Sequence, residues 1–261
     1  MKVAQVMTNR PLTVREDDLA TKVRSLFRKS DFRSIPVVDR ERRLLGIITR
    51  KDILGITSTK SNIPAEGLMS IPILTLTPEE DIRTAMRRMA EASISTVMVV
   101  ESSNNMRLVG LVTVQDIMNV IIEKGFTPKK KIIEEIMTRD VVTCTPEDHL
   151  PKVWTRMEET GYSGIPVLKK NKLIGIITRK DILNSGFARI HREDEKGKGK
   201  FNTPVEKVMR TPVITVKPED KVEDAVRIMY ENNIGRIPVV ANSRLMGIVD
   251  RSDIMHQYAD N

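Results

Sequence analysis

The chain has 261 residues, 40% of them hydrophobic, and a formal charge of +8, which is enough apolar material for two ordinary domains or several small ones. Aromatic residues make up only 3%, too few for the row of exposed rings on which single-stranded nucleic acid stacks, and no run of eighteen apolar residues marks a membrane helix. A single cysteine, Cys144, excludes an intrachain disulfide or a cysteine-built zinc site; with a start that lacks the apolar core of a signal peptide, a soluble cytoplasmic protein is expected.

Read in order, the chain repeats one pattern four times. The copies open on Val6-Met7-Thr8, Leu68-Met69-Ser70, Ile136-Met137-Thr138 and Val208-Met209-Arg210. A short β-branched stretch comes next, and then a helix. Thr77-Pro78-Glu79-Glu80, Thr145-Pro146-Glu147-Asp148 and Lys217-Pro218-Glu219-Asp220 predict helix starts with Pro in the first position and acids in the first turn, where the helix dipole favours them. The apolar faces are Leu19, Val23 and Leu26; Ile82, Ala85, Met86 and Met89; Leu150, Val153, Trp154 and Met157; and Val222, Ala225, Val226 and Met229. These methionines read as core.

A strand follows each helix: Ile35-Pro36-Val37-Val38, Val97-Met98-Val99-Val100, Ile165-Pro166-Val167-Leu168 and Ile237-Pro238-Val239-Val240, with Pro confining its first residue to an edge. A polar turn leads to an antiparallel strand bearing one Gly, and then to a second helix. These closings read G-I-I-T-R-K-D-I-L from Gly46 and again from Gly175, G-L-V-T-V-Q-D-I-M from Gly110 and G-I-V-D-R-S-D-I-M from Gly247. The fold class is therefore α/β of the α+β type, with β-α-β-β-α repeats over 1–60, 61–125, 126–190 and 191–261. A unit of some 60 residues buries too little surface to stand alone, so the copies should pair, as 1–125 and 126–261. The stretch from Arg189 to Lys200, rich in Lys and Gly, is expected to be disordered.

The chemistry lies at the step from strand to helix. Thr49 and Asp52, Thr113 and Asp116, and Thr178 and Asp181 stand three apart, which is the spacing of a capping box. Three features point beyond capping. The acid is always Asp, although Glu and Gln reach back more easily. A Gly inside a strand costs stability unless some backbone or a ligand approaches closely. Finally, Arg50-Lys51, Arg179-Lys180 and Arg251 put positive charge at a helix start, which suits a nearby anion. Together they fit a sugar-phosphate: Asp accepts from a ribose diol, Thr adds a hydrogen bond and basic groups meet the phosphate.

On the G-h-h-T-x-x-D-I closing and the I-P-V-V strand, the whole chain resembles a tandem array of four cystathionine-beta-synthase (CBS) domains, whose pairs are called Bateman modules. The resemblance implies head-to-tail pairing, two clefts per pair, a flat disc-like arrangement, and AMP, ADP, ATP or S-adenosylmethionine as ligands. It places ribose contacts on Thr49, Asp52, Thr113, Asp116, Thr178, Asp181 and Asp253, and the phosphate-facing basic position on Arg236, with Arg33 one residue earlier in its copy. Asp250 stands where Thr is expected, so two carboxylates would share that ribose region. Copy two, with Ser95-Thr96 and Val114-Gln115, is the poorest phosphate site, and in copy three Ser163-Gly164 leave the charge to Arg179, Lys180 or the paired copy. The clefts with Asp52 and Asp181 are expected to fill first.

The function expected is a non-catalytic sensor with an adenosyl ligand, no required cofactor, no metal and a client protein that the sequence does not identify; a homodimer is left open. The alternative is nucleic-acid binding through Lys129-Lys130-Lys131 and Lys196 to Lys200, without a helix-turn-helix or zinc-finger signature. For an enzyme the sequence offers little. CBS pairs occur inside inosine-monophosphate dehydrogenase, but no length is spare for a catalytic barrel. Cys144 reads as a small core residue, and His149, His191 and His256 lack ligand spacing.

Overall fold

The computed structural model describes residues 1–30, 32–54, 62–185 and 203–259. The segment expected to be disordered, and His191, lie outside the described residues. The chain divides into two compact units: Met1–Lys131 with Val226–Asn233 and Arg251–Asn261, and Ile132–Ala225 with Ile234–Asp250. Among the described residues no helix is long and apolar enough to cross a membrane.

In the first unit, copy one comprises β1 (Thr8–Asn9), β2 (Val14–Arg15), α1 (Ala20–Lys29), β3 (Ser34–Val38), β4 (Leu44–Thr49) and α2 (Arg50–Leu54). Copy two comprises β5 (Thr75–Leu76), α3 (Ile82–Glu91), β6 (Thr96–Val100), β7 (Leu108–Thr113) and α4 (Val114–Lys124), which ends on Gly125 in the left-handed region at φ 62°. The second unit holds α5 (Leu150–Thr160), β8 (Gly164–Lys169), β9 (Lys172–Thr178) and α6 (Arg179–Asn184) of copy three, and β10 (Arg236–Ala241) and β11 (Arg244–Asp250) of copy four. Copy four also contributes α7 (Val222–Glu231), whose residues are divided between the units, and α8 (Arg251–Tyr258), which packs on α3 and α4 in the first unit.

Every copy uses the same pairing. A short first strand lies parallel to the strand after the helix, and that strand pairs antiparallel with the Gly-bearing one. In copies three and four the parallel pairing is a single bridge, Cys144 to Val167 and Val216 to Val239. The antiparallel ladder slips at the same point in all four copies, between Val37 and Val38, Val99 and Val100, Val167 and Leu168, and Val239 and Val240. The prolines of β3, β8 and β10 fall just before the residue paired on both sides, where a missing N–H leaves no ladder bond unmade.

Two expectations are corrected. The helices begin at Ile82, Leu150 and Val222, four residues past Pro78, Pro146 and Pro218. The acids there close a tight turn instead: Thr77, Thr145 and Lys217 donate their N–H groups to Glu80 (2.8 Å), Asp148 (2.9 Å) and Asp220 (2.7 Å). The inner face of α1 is Ala20, Val23 and Phe27, with Leu26 packed against it as expected, whereas Leu19 is the N-cap and 46% exposed. Met86, Met89, Met157 and Met229 are buried core residues.

Within each unit the copies exchange their openings. Ser70 of copy two exchanges backbone hydrogen bonds with Ile47 on β4 (2.9 Å each), and Thr8 of copy one lies opposite Leu111 on β7. Thr138 likewise pairs with Ile248, and Arg210 with Ile176. Just before each opening a single 3-10 turn docks on the acidic turn of the other copy: Val3 and Ala4 on Glu80 and Pro78, Ala65 and Glu66 on Asp18 and Glu16, Ile133 and Glu134 on Asp220 and Pro218, Val205 and Glu206 on Asp148 and Pro146. Val3, Ala65, Ile133 and Val205, which lead these turns, are completely buried. Each sheet is thus completed by the neighbouring copy.

Candidate functional site

The repeated Thr and Asp meet as the spacing predicts. The carboxylate of Asp52 accepts from the Thr49 N–H and hydroxyl, both at 2.7 Å to Oδ2, and Asp116 accepts likewise from Thr113 at 2.8 Å. Asp181 accepts from the Thr178 N–H at 3.0 Å and hydroxyl at 2.5 Å, again on Oδ2. The Asp116 and Asp181 N–H groups donate back to the Thr hydroxyls at 3.3 Å. These are full capping boxes, so the local role weighed from the sequence is realised. It occupies one carboxylate oxygen and leaves Oδ1 outside the cap.

At copy three that second oxygen meets the paired copy. Arg210, from the opening of copy four, donates from Nε to Asp181 Oδ1 at 2.6 Å. The Asp181 side chain is 7% exposed and that of Arg210 51%. A second arginine of copy four, Arg236, donates to the Gly164 carbonyl at 2.7 Å and the Ser163 hydroxyl at 2.8 Å. Gly164 leaves room for this arginine, since a Cβ would lie 3.1 Å from Arg236 Cδ and 3.2 Å from Thr178 Cγ2. Thr178, Asp181, Arg210 and Arg236 therefore converge between copies three and four. Arg236 and a charge from the paired copy were expected from the sequence, but Arg210 was missed. Its only signal was a residue that breaks the Thr, Ser, Thr series after the opening Met.

The other cations are placed differently. Arg179 is held within its own copy: it donates to the Met157 carbonyl at 2.6 Å, lies 3.5 Å from Glu158 and covers the Trp154 ring at 5.8 Å. Burial lowers its pKa, opposed by Glu158. Arg251 is 6% exposed and donates to Gln115 at 2.8 Å and Asn233 at 3.3 Å, while Gln115 donates to the Tyr230 carbonyl. Burial, reinforced by the like charge of Arg33, brings Arg251 down to about 9, which leaves it charged at neutral pH. Arg33 precedes β3 and is half-buried, Arg50 and Lys51 start α2, and Lys180 is half-buried on α6. Asp250 ends β11 opposite Arg236, and Asp253 lies in the first turn of α8; the division between the units falls between them.

The strand glycines are closely approached, as the sequence suggested, and what approaches is the paired copy, by its opening methionine and, at Gly110, Gly175 and Gly247, by the backbone carbonyl of the next residue. The group nearest to each is the opening methionine of the paired copy: a Cβ on Gly46 would lie 2.6 Å from Met69 Sδ, on Gly110 2.6 Å from Met7 Sδ, on Gly175 2.5 Å from Met209 Sδ and on Gly247 2.8 Å from Met137 Sδ. The glycine therefore marks pairing. Its recurrence beside a recurrent Met was the signal available in the sequence. Cys144 is buried, with its thiol 3.8 Å from the Pro166 carbonyl; burial, then Asp148, pushes its pKa up to about 12, which suits a core residue and not a nucleophile.

Four copies of one βα unit, exchanged in pairs around a repeated Thr-Asp step, define the class. The model of the CBS domain matches residues 3–58, 65–123, 133–187 and 205–260, and the chain belongs to the CBS-domain family. Protein MJ1225 of Methanocaldococcus jannaschii is 28% identical over 284 residues, which span 99% of this chain and 98% of that protein. Its crystal structure, described as that of a proposed archaeal homolog of g-AMPK, matches with a TM-score of 0.82 at 25% identity, covering 98% of this chain and 99% of its own. A conserved protein from Pyrococcus horikoshii shares the fold, with a TM-score of 0.69 and 24% identity over 98% of this chain and 99% of that one. The inosine-5'-monophosphate dehydrogenase of Korarchaeum cryptofilum is 36% identical over 128 residues, but these are 49% of this chain and 24% of the enzyme.

Proposed function

We propose that the chain is a non-catalytic regulatory protein that binds adenosine-type ligands in clefts between paired copies, with the change read by a separate client protein. The observation that carries this is the cluster of Thr178, Asp181, Arg210 and Arg236, which sets a carboxylate beside two guanidinium groups from the paired copy. Diol donors suit the carboxylate, and phosphate oxygens suit the arginines, in charge-assisted bonds stronger than neutral ones. Two further observations support the reading. The Thr-Asp step recurs with the same bonds at Asp52 and Asp116. A relative that matches end to end is described as a proposed homolog of g-AMPK, which fits a regulatory role.

The enzyme reading has less behind it, since the likeness to a dehydrogenase extends over only 24% of that enzyme. Isothermal titration calorimetry with AMP, ADP, ATP, S-adenosylmethionine and NAD tests the proposal. At least one of them should bind with a dissociation constant below millimolar, and Asp181→Asn should weaken or abolish one class of site. Silence from all five at millimolar concentration would remove the adenosyl reading.

A further inference from the structure

The carboxylate of Asp181 is closed from both sides. Thr178 of its own copy holds Oδ2, and Arg210 of the paired copy holds Oδ1 at 2.6 Å. The acid is buried, but the arginine that covers it is half exposed. At the same register of the other three clefts the opening carries Ser70 opposite Ile47, Thr8 opposite Leu111 and Thr138 opposite Ile248, each two residues before the Thr or Asp that ends the strand. These side chains end one bond beyond Cβ and bear no charge. Arg210, opposite Ile176, alone among the four openings brings a cation to this place.

Because Asp181 is buried and Arg210 sits on Oδ1, a ribose can reach that oxygen only if Arg210 moves aside. Displacement is feasible, because Arg210 is half exposed and water can take over its hydrogen bonds when it swings away. Its cost depends on the ligand. A neutral nucleoside gives Asp181 new hydrogen bonds but leaves the guanidinium without its anion. A ligand with a phosphate gives the diol to Asp181 and a charged oxygen to Arg210, so that both groups regain a partner in one step. Specificity then arises from what the excluded ligand leaves unpaired.

Resting on the reading of Asp181 as a ribose acceptor, we infer that Arg210 plugs the copy-three cleft and makes it select phosphate-bearing adenosyl ligands over neutral nucleosides. The other clefts, with Ser or Thr at this position, lack the plug and discriminate less.

The test is calorimetric titration of the full chain with AMP and with adenosine, for the wild type, Arg210→Thr and Arg210→Lys, with Asp181→Asn to identify the isotherm of this cleft and thermal melts to verify folding. In the wild type AMP should bind this cleft at least about tenfold tighter than adenosine, and in Arg210→Thr the preference should shrink to about twofold through weaker AMP and tighter adenosine. Arg210→Lys should keep most of the preference. If Arg210→Thr changes the affinities of AMP and adenosine by the same factor, or neither, Arg210 is a structural ion pair only and the inference falls while the ribose reading stands. If neither compound binds any of these proteins, or if Asp181→Asn alters no isotherm, the ribose reading falls and the plug falls with it.

Discussion

Asp148 shows how much a single acid of the docking turn does. Its two oxygens accept from the Thr145 N–H at 2.9 Å and the Lys152 ammonium at 2.7 Å. Burial alone would raise its pKa, but Lys152 and the Thr145 N–H outweigh that and hold the carboxyl below its ordinary 3.8; Asp18 is held down in the same way by Lys22 and the Arg15 N–H. Because the folded carboxyl is the stronger acid, its contribution to stability is complete above 3.8 and disappears as the pH falls through the folded value. Asp148→Asn should therefore melt lower than the wild type at neutral pH, with a gap that closes as the solution is acidified below 3.8. Thermal melts by circular dichroism over an acid series measure this, and a gap constant with pH would refute it. The Thr-Asp pairs were legible from a spacing of three, because a capping box is a local object. Arg210 was not, because its bond to Asp181 spans 29 residues and depends on which strand the opening joins.

Among the elements, the pairing of opening and strand is the clearest case of a motif whose meaning only the fold supplies. Four Met openings and four Gly strands were visible in the sequence, and so was the order of elements. That each Met covers the Gly of the other copy was hidden, since a repeat cannot say whether its parts serve themselves or a neighbour. The helix starts were misplaced for the same reason: Pro78, Pro146 and Pro218 belong to turns that seat the neighbouring copy. Gly46, where the three atoms nearest to an added Cβ all belong to the Met69 side chain, makes the pairing measurable. Gly46→Ala should destabilise the protein by about 1–3 kcal/mol through overpacking, although Ala is otherwise the better strand residue. Met69→Ala combined with it should recover part of that loss, and chemical denaturation of the four proteins of the cycle would show a coupling energy above about 0.5 kcal/mol. Additive losses would mean that the two residues do not compete for one space.

At the scale of the whole molecule, the first unit is not made from contiguous sequence. Its residues include Val226–Asn233 and Arg251–Asn261 from the far end of the chain. Ile254, Met255 and Tyr258 of α8 are buried, the Lys129 N–H donates to the Gln257 carbonyl at 2.8 Å, and Arg251 reaches Gln115. A fragment that stops at Lys131 should therefore melt below the full chain and expose apolar surface on α3 and α4, seen as increased binding of a hydrophobic dye. Equal melting temperatures would show that α8 contributes nothing to this unit. The repeated order of elements located α8 as a helix but could not reveal where it packs, because its contacts lie far away along the chain.

The exchanged openings also bear on how such a chain can be inherited. A gene segment encoding one copy would yield a sheet missing its last neighbour, with a bare glycine groove where the other copy's methionine belongs. The smallest heritable piece that repairs both faults is two copies together. Duplication, grafting into another gene, or loss should therefore proceed by twos, and the four copies here are best counted as two couples.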